Sequence, residues 1–535
     1  MSRLTVIERV PAWAVAAVLA AIYLVVDPPS ADLAAQTYRT DLFERAGFVV
    51  FDLGWYGGHH NPAYSILFPP LAALIGPRLV GALAAVATAW AFERIVKGRG
   101  PEATTAARVA SLWFATACMV SLVTGRLTFA LGLALGMLSV LALTRNRLVW
   151  CGIAGATAAL ASPVAVAFLA LPIAAWGITT RRLAPAAALL AVSVAPAAAL
   201  SLAFPEGGSF PFTASAFWPT LAGAVLIAAV LWRDAPAVLR LGLVFYALLL
   251  VLSGAISSPM GGNAVRLGAV LAGPLAALLL WPDRRRLLAL VALPFLYWQV
   301  NAPIDDVYRA SSDPSIEASY YDGLLAFLHA RERADGGPIR VEIPFTDNHW
   351  ESARVAPTVP LARGWERQLD RKVNALFYDD GALTAQTYEA WLHANAVGYV
   401  ALADAPIDYS AADEAALIRA APPYLREVWH DAGWRVFAVA GAAPLADGGA
   451  RVTRMGPDAI DVRLPRAGTY LVRVRFTPYW RASLQGAPAR VCVGPDDPGD
   501  DAAWTRVRST APGTVRLRAA FSLKRIHATG VRCSG

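Results

Sequence analysis

The first two apolar stretches of the chain are separated by VVDPPSADLAAQTYRTDLFERAGFVVFDLGWYGGHH, residues 25–60. Residues 1–300 contain eleven acidic side chains, and five of them lie in this segment: Asp27, Asp32, Asp41, Glu44 and Asp52. Ionisable groups are costly to hold at a membrane, so such a cluster usually marks a functional site. The segment is therefore predicted to carry the functional site of a membrane protein.

The remainder of the N-terminal half consists of apolar runs. The 535-residue chain has a mean hydropathy of +0.46 and only 16% charged residues, against about 25% in soluble proteins. A membrane-spanning helix needs about 20 apolar residues. We predict eleven spans, at roughly 10–27, 78–93, 106–124, 127–143, 148–162, 164–179, 183–203, 217–232, 237–256, 264–281 and 287–300.

The basic residues follow the turns between these spans. Residues 1–300 have a surplus of nine positive charges, whereas residues 301–535 have one negative charge in excess. The net charge of +8 therefore belongs to the membrane half, and no basic, aromatic patch indicates a nucleic-acid partner. Alternate turns carry the arginines and lysines: Arg94, Lys97, Arg99 and Arg108, then Arg145 and Arg147, Arg181 and Arg182, Arg233 and Arg240, and Arg284 to Arg286.

This alternation is the positive-inside pattern, and it predicts a cytoplasmic N-terminus. Eleven spans then place loop 28–77 and residues 301–535 outside the cytoplasm. Within the loop, residues 31–47 are predicted to form a helix along the membrane surface, with Asp32 as its N-cap and Gly47 as its stop. A second surface helix is predicted over 63–75.

The glycine-rich stretch between these two helices offers several ligand-binding side chains. Trp55 and Tyr56 either stack on a sugar ring or belong to the aromatic belt at the membrane interface. His59 and His60, with nearby carboxylates, suit a divalent cation, but no HxxxH or HExxH spacing is present. We favour hydrogen bonding to a substrate or a structural partner, and we predict no metal and no cofactor.

Two arginines stand on the outer side, where the positive-inside pattern gives them no role. Arg126 lies in the turn between the third and fourth spans, and Arg266 lies near the outer end of the tenth. Guanidinium binds phosphate oxygens in pairs, so a lipid phosphate is one suitable partner. Snorkelling, or pairing with Asp32 or Asp52, is the alternative. Asn263, three residues before Arg266, is predicted to share its helix face.

The C-terminal part is predicted to contain two extracytoplasmic domains. Residues 301–449 alternate short strands, near 340–344 and 398–402, with helices near 319–333, 385–396 and 411–419, which indicates an α/β arrangement. Residues 450–535 alternate polar and apolar residues, as a β-sandwich does. A polar and aromatic run at 349–366 either contacts an acceptor or forms a salt-bridged surface.

The four cysteines divide between the two halves. Cys118 and Cys151 lie in apolar spans and are predicted to be inert core residues. Cys492 and Cys533 bracket the C-terminal segment. In an extracytoplasmic domain they are candidates for a disulfide.

The whole arrangement resembles the C-type (GT-C) membrane glycosyltransferases, in particular the actinobacterial cell-envelope enzymes that add arabinofuranose or mannose. The similar features are a single first span followed by DLAAQ at 32–36, a long outer loop with two surface helices, about eleven spans and an outer domain ending in a β-sandwich. The resemblance extends over the whole chain in the order of its spans, outer loop and outer domain. Few sequence motifs contribute to it.

This resemblance implies inverting transfer of a sugar from a polyprenyl-phosphate donor to a cell-envelope glycan or glycolipid acceptor at the membrane. Asp32 would be the general base that deprotonates the acceptor hydroxyl. Arg126 and Arg266, with Asn263, would hold the donor phosphate. Asp52 would be a second carboxylate that orients the sugar or the acceptor.

Two other classes of function explain part of the sequence. A transporter or lipid flippase accounts for many spans, but not for carboxylates gathered in a surface loop or for a large outer domain. A non-catalytic envelope assembly protein would use the outer domain as its binding module. No Walker A, GxSxG, dinucleotide-binding or zinc motif is present in the sequence.

Overall fold

A computed structural model describes residues 10–97, 104–281, 283–486, 489–526, 528 and 530–533. The predicted inner-loop residue Arg99 lies outside this set. The chain divides into two compact units. The first consists of the residues up to Gln36, with Tyr64–Ala199 and Ser209–Tyr308, and the second consists of Thr37–Ala63, Leu200–Gly208 and Arg309 onward.

The first unit is helical. Among the described residues, eight helices are long and apolar enough to cross a membrane, and Ala12–Val26 passes that test only together with Ala31–Ala46, to which it is bent by 80°. Two further apolar helices, Leu148–Ala161 and Pro163–Thr179, are shorter than a full span. The helices are α1 Ala12–Val26, α2 Ala31–Ala46, α3 Phe68–Ile75, α4 Pro77–Val96, α5 Thr104–Ala117, α6 Met119–Val123, α7 Leu127–Thr144, α8 Leu148–Ala161, α9 Pro163–Thr179, α10 Leu183–Ala203, α11 Ala214–Leu231, α12 Ala237–Ala255, α13 Val265–Leu280 and α14 Arg285–Ala310.

All eleven predicted spans are therefore helical, and a polytopic helical fold is confirmed. Two boundaries were wrong. Helix α14 continues to Ala310, beyond the predicted boundary at residue 300, because the polar residues after its apolar part do not interrupt the helix. The predicted second surface helix, 63–75, begins later, at Phe68, because a separate single turn, Asn61–Ala63, precedes it, and it ends at Ile75 as predicted.

The second unit contains the predicted α/β part. Its sheet has the strand order β1-β2-β4-β3, in which only the β1–β2 pair is parallel. The core beneath this sheet includes Tyr388, Val400, Ala415 and Phe437. The strands are β1 Arg340–Glu342, β2 Val397–Ala403, β3 Leu425–His430 and β4 Trp434–Val439, and the helices are α15 Asp322–Asp335, α16 Glu351–Arg354, α17 Arg367–Val373, α18 Ala385–Ala394 and α19 Ala412–Arg419.

The predicted β-sandwich follows. Its two four-stranded sheets have the orders β5-β6-β11-β8 and β12-β9-β10-β7, and alternate residues of both enter one core that includes Val462, Val472, Val507 and Leu517. Cys492 on β9 and Cys533 on β12 form the predicted disulfide. The strands are β5 Arg451–Met455, β6 Ala459–Leu464, β7 Gly468–Arg475, β8 Trp480–Leu484, β9 Val491–Pro495, β10 Trp504–Ser509, β11 Gly513–Ala519 and β12 Arg532–Cys533.

Candidate active site

Asp32 and Arg126 form an ion pair in the helical unit. The Nε of Arg126 donates to Oδ2 of Asp32 over 2.8 Å, and the two side chains are 30% and 21% exposed, so both remain accessible to a ligand. Asp32 is not the N-cap that the sequence predicts, because α2 already begins at Ala31. It lies instead in the first helical turn, where the helix dipole favours a negative charge.

A glycine brings these two residues together. Gly125 precedes Arg126 and has a positive φ of 69°, which an L side chain rarely adopts. A Cβ atom at this position would lie 2.5 Å from the backbone nitrogen of Leu33. The turn before α7 therefore packs its backbone directly on the first turn of α2, and this contact aims Arg126 at Asp32.

Arg266 lies beside this pair. Its guanidinium carbon is 5.5 Å from the centroid of the Phe129 ring, and it interacts electrostatically with Arg126, Asp32 and Tyr64. The three residues that the sequence singled out thus belong to one half-buried polar cluster.

Two further side chains complete the cluster. Asp306 on α14 interacts electrostatically with Arg126, and the Tyr64 hydroxyl accepts a hydrogen bond of 3.4 Å from Nε2 of Gln36. Sequence reasoning missed Asp306 because the membrane domain was ended at residue 300. The signal was the pair Asp305-Asp306 directly after the last apolar run.

Two neighbouring polar residues have local partners. The Asn263 side chain is buried and donates to the carbonyl oxygen of Pro259 over 3.1 Å, within a turn that precedes α13. Asp27 ends α1 in a left-handed conformation and pairs with Arg78 over 2.5 Å. Asp27 therefore marks the end of the first span, and Asn263 stabilises a turn next to Arg266.

An apolar cavity begins next to the charged cluster. Its volume is about 240 Å³. Leu267, adjacent to Arg266, lines it, as does Leu133, one helical turn beyond Phe129. From Leu267 the lining continues along α13 to Leu279, a distance of about 18 Å at the rise of an α-helix. The helical unit thus joins a polar cluster to an apolar channel.

The predicted roles of Trp55 and Tyr56 in substrate binding are not supported, because both side chains are buried in the second unit, at 0% and 1% exposure. The indole of Trp55 donates to the carbonyl oxygen of Ser352 over 3.2 Å, and the Tyr56 hydroxyl donates to that of Gly364 over 2.6 Å. Neither ring is available for stacking on a sugar.

Asp52 is corrected in the same way. Its carboxylate is 1% exposed and accepts hydrogen bonds from the Tyr38 hydroxyl, at 2.7 Å, and from the backbone nitrogen of Gly54, at 3.2 Å. It is a buried acceptor that fixes its own loop. The structure gives it no exposed surface for a sugar or an acceptor.

The two histidines are buried, and His60 has structural partners, one of the two alternatives predicted from the sequence. The His59 ring is 1% exposed and stacks on Trp55 at 5.3 Å, with Nδ1 3.8 Å from Asp52. The His60 ring uses both nitrogens, Nδ1 with Glu206 at 2.6 Å and Nε2 with Thr477 at 2.9 Å. Within the described residues no group of three or more His, Cys, Asp or Glu side chains is arranged to hold a metal ion.

A missed signal explains the burial of Trp55. Val49, Phe51, Leu53 and Trp55 alternate along the chain, and all four are buried. Alternation of this kind is typical of an extended segment with one buried face. Backbone hydrogen bonds at Leu53 and Gly54 hold this segment inside the second unit, so residues 51–60 form part of its core.

The polar run at 349–366 is part of a buried network. Arg363 is 1% exposed, and its guanidinium carbon lies 4.0 and 3.9 Å from the ring centroids of Phe345 and Phe377. It pairs with Asp370 at 2.7 Å and Glu414 at 2.9 Å. Neither an acceptor contact nor a salt-bridged surface, the two alternatives from the sequence, describes this arrangement.

Glu342 gives this network a pH dependence. Burial, together with repulsion from Glu414, raises the pKa of Glu342 well above its usual value. The folded state then binds a proton that the unfolded state releases, so stability should fall as pH rises from the ordinary carboxyl pKa through the raised one. Glu342→Gln, which imitates the protonated acid, is expected to have a higher melting temperature than the wild type at pH 8. Each kcal/mol gained in the free energy of unfolding corresponds to about 2–4 °C.

Thermal melts of the purified full chain between pH 4.5 and 8 measure this effect. The exposed Glu427, paired with Arg435 over 3.1 Å, provides the control variant Glu427→Gln, which should leave the pH dependence unchanged. A Glu342→Gln protein with the same loss of stability at high pH as the wild type would show that another group titrates.

Comparison with known proteins adds a structural likeness. No protein-family model and no curated protein sequence matches the chain. Among solved structures, the chain is similar to the crystal structure of ArnT from Cupriavidus metallidurans bound to undecaprenyl phosphate, with a TM-score of 0.44 and 14% sequence identity. The match covers 80% of this chain and 98% of that chain.

Proposed function

We propose that the protein transfers a sugar from a polyprenyl-phosphate donor to a hydroxyl group of an extracytoplasmic glycan or glycolipid. The observation that carries this proposal is the cluster of Asp32, Arg126 and Arg266 beside an apolar cavity. This combination suits a ligand with a charged head and a long apolar tail.

The arginines account for the head of such a donor. Arg126 uses its Nε for Asp32, and its terminal guanidinium nitrogens are suited to phosphate oxygens. Arg266 adds a second positive charge beside it. Two adjacent arginines repel each other, and a phosphate between them removes that repulsion while gaining charge-assisted hydrogen bonds.

The cavity accounts for the tail. Its lining includes Leu133, Met137, Phe168, Leu271 and Leu275, and an isoprenoid chain offers only apolar surface to them. The cavity lining begins at Leu267, the residue after Arg266, and follows α13. A lipid bound with its phosphate at the arginines would therefore extend its chain among these side chains.

Asp32 supplies the chemistry in this proposal. It takes the proton from the acceptor hydroxyl as that oxygen forms a bond to the anomeric carbon. The bond from the same carbon to the phosphate oxygen breaks on the opposite side, so the configuration inverts. The electron pair leaves with polyprenyl phosphate, whose added negative charge Arg126 and Arg266 stabilise.

The ion pair between Asp32 and Arg126 gives this reaction an order. Oδ2 of Asp32 accepts the N–H of Arg126 and is occupied by that hydrogen bond while no donor is bound. A donor phosphate that draws the Arg126 guanidinium toward itself releases this oxygen for the acceptor hydroxyl. We therefore expect the donor to bind before Asp32 becomes an effective base.

The orientation of the protein in the membrane is proposed from the charges of its loops. Arg145, Arg147, Arg181 and Arg182 lie on turns of one side, and the positive-inside rule assigns this side to the cytoplasm. Asp32 and Arg126 belong to turns of the other side. We therefore propose a multi-pass membrane protein with a cytoplasmic N-terminus, and an extracytoplasmic active site and C-terminal unit.

The sugar and acceptor are proposed by class only. A cell-envelope arabinofuranosyl- or mannosyltransferase is the specific form that the sequence resemblance suggests. Transport of a lipid, or assembly without catalysis, would use the same cavity but would need no proton acceptor at Asp32. The test must therefore detect bond cleavage, and lipid binding alone is not sufficient.

The experiment measures release of polyprenyl phosphate by the purified protein in lipid nanodiscs. A panel of polyprenyl-phosphate pentoses and hexoses is supplied with crude envelope acceptor. Acceptor-dependent release from one donor supports the proposal and identifies the sugar. Binding of donors without release from any of them, by protein that melts cooperatively, would contradict it and favour transport or assembly.

Arg266→Gln tests the phosphate site. The variant should raise the KM for the donor by about 10- to 100-fold, since a hydrogen bond to a charged group contributes about 1.5–3 kcal/mol. Donor titrations of the release rate measure the effect. Arg78→Gln removes an arginine of the same unit that pairs with Asp27 and should leave the KM unchanged. Equal KM values for both variants would remove Arg266 from the site.

A further inference from the structure

An exposed apolar and basic patch lies near the end of the chain. Phe521, Leu523 and Val531 are 42%, 76% and 65% exposed. Lys524 is exposed between them, and Arg525 donates to the carbonyl oxygen of Gly530 over 3.3 Å, which brings Val531 next to the turn. We call these five residues the C-terminal patch. Large apolar side chains gathered in this way on a surface usually mark an interaction site.

The patch is attached to the end of a membrane helix. The last turn of α10, Leu200–Ala203, belongs to the second unit. Phe521 lies 5.6 Å from the Phe204 ring, and the Tyr479 hydroxyl donates to the carbonyl oxygen of Ala203 over 2.5 Å. Ile526 packs on the same cluster. Both flanks of the turn that carries Leu523 thus contact the end of α10.

The length of α10 fixes the depth of this contact. Its 21 residues span about 31 Å at the rise of an α-helix, and the hydrocarbon core is about 30 Å thick. Ala203 therefore lies where hydrocarbon meets the headgroups. Leu202, in the last turn of α10, is 59% exposed, as is expected for an apolar side chain that faces lipid.

The charges within the patch are positive. Residues 502–535 contain seven Lys and Arg and no Asp or Glu, and two of these, Arg516 and Arg518 of β11, pair with Asp461 and Asp458. Arg532 experiences the charges of Arg525 and Arg481, both of which repel it. A cluster of cations beside exposed apolar side chains matches the surface of an anionic bilayer, whose phosphates attract the cations and whose boundary accepts the apolar groups.

We propose that the C-terminal patch inserts into the extracytoplasmic interface of the membrane that the helices span, and binds anionic phospholipid headgroups there. Leu523, Phe521 and Val531 enter the acyl boundary, while Lys524 and Arg525 contact phosphates. The second unit is then held at the membrane by this contact in addition to its chain connections. The proposal does not depend on the transfer reaction.

The test uses the full chain in nanodiscs, with a fluorescent label at Leu523→Cys. The free cysteines Cys118 and Cys151 are buried, so labelling without reductant is selective. Thr469→Cys is the matched control, because it is exposed on β7, at the opposite edge of the sheet from β12. We expect blue-shifted emission and quenching by shallow spin-labelled lipids at position 523, and neither at position 469.

A charge reversal tests the lipid class. In nanodiscs with phosphatidylglycerol, Lys524→Glu should weaken the quenching at position 523, whereas Arg508→Glu, an exposed charge on β10, should not. Quenching that is equal in neutral and anionic lipid would overturn the binding of anionic headgroups. A label at position 523 that remains in water in every lipid, as at position 469, would overturn the insertion.

Discussion

Replacing Asp32 by asparagine is expected to lower turnover of the polyprenyl-phosphate donor by about 10²- to 10⁴-fold, the usual contribution of a general base. Asparagine has nearly the same shape, and its oxygen can still accept the 2.8 Å hydrogen bond from Arg126. It cannot take a proton from the acceptor. The loss should therefore appear in kcat, with little change in the donor KM or in the melting temperature.

Asp27→Asn is the matched control for this experiment. Asp27 lies five residues earlier and also pairs with an arginine of the same unit, Arg78, at 2.5 Å. If loss of any carboxylate–arginine pair in this region disturbs the fold, both variants will lose activity and stability together. If Asp32 is the base, only Asp32→Asn will be inactive, and it will remain folded.

Asp306→Asn separates the two carboxylates of the cluster. Both interact electrostatically with Arg126, so either carboxylate is a candidate for the base. If Asp306→Asn is inactive while Asp32→Asn keeps its activity, Asp306 and not Asp32 is the base. Full activity in both would contradict acid–base catalysis by this cluster, and with it the proposed transfer mechanism.

The sequence predicts this cluster because topology alone brings its members together. Asp32 follows the first span, Arg126 lies between the third and fourth, and Arg266 begins the tenth, so all three meet at one membrane face when the spans are placed correctly. Local signals were enough for that placement. Runs of apolar residues gave the helices, and two-residue alternation gave the sandwich strands.

The misassigned residues share a different cause. Sequence shows that Asp52, His59 and His60 are polar and close together, but not that they are buried in the second unit at 1–9% exposure. A buried polar residue needs a partner from elsewhere in the chain. For His60 these partners are Glu206 and Thr477, which are too distant in sequence for any local pattern to indicate. The sequence does not show which distant residues will form hydrogen bonds with these buried polar groups.

Arg363 is the strongest example of such a partner, and Arg363→Gln is expected to destabilise the second unit by about 3–5 kcal/mol, the usual cost of leaving buried charges unpaired. Its guanidinium pairs with Asp370 and Glu414, and it lies 3.9 Å from Glu342. Removal would leave three carboxyl groups without their cation. Two aromatic rings would also lose the charge packed against them.

Thermal melts of the full chain would measure this loss, as a fall in melting temperature of about 2–4 °C per kcal/mol. The control is Arg435→Gln, since Arg435 pairs with Glu427 over 3.1 Å but is 46% exposed, and surface pairs contribute about 1 kcal/mol or less. Adding Asp370→Asn to Arg363→Gln should recover part of the stability, because one of the stranded charges is then removed. Equal melting temperatures for Arg363→Gln and Arg435→Gln would show that the buried network does not hold this unit together, and that its core depends on apolar packing alone.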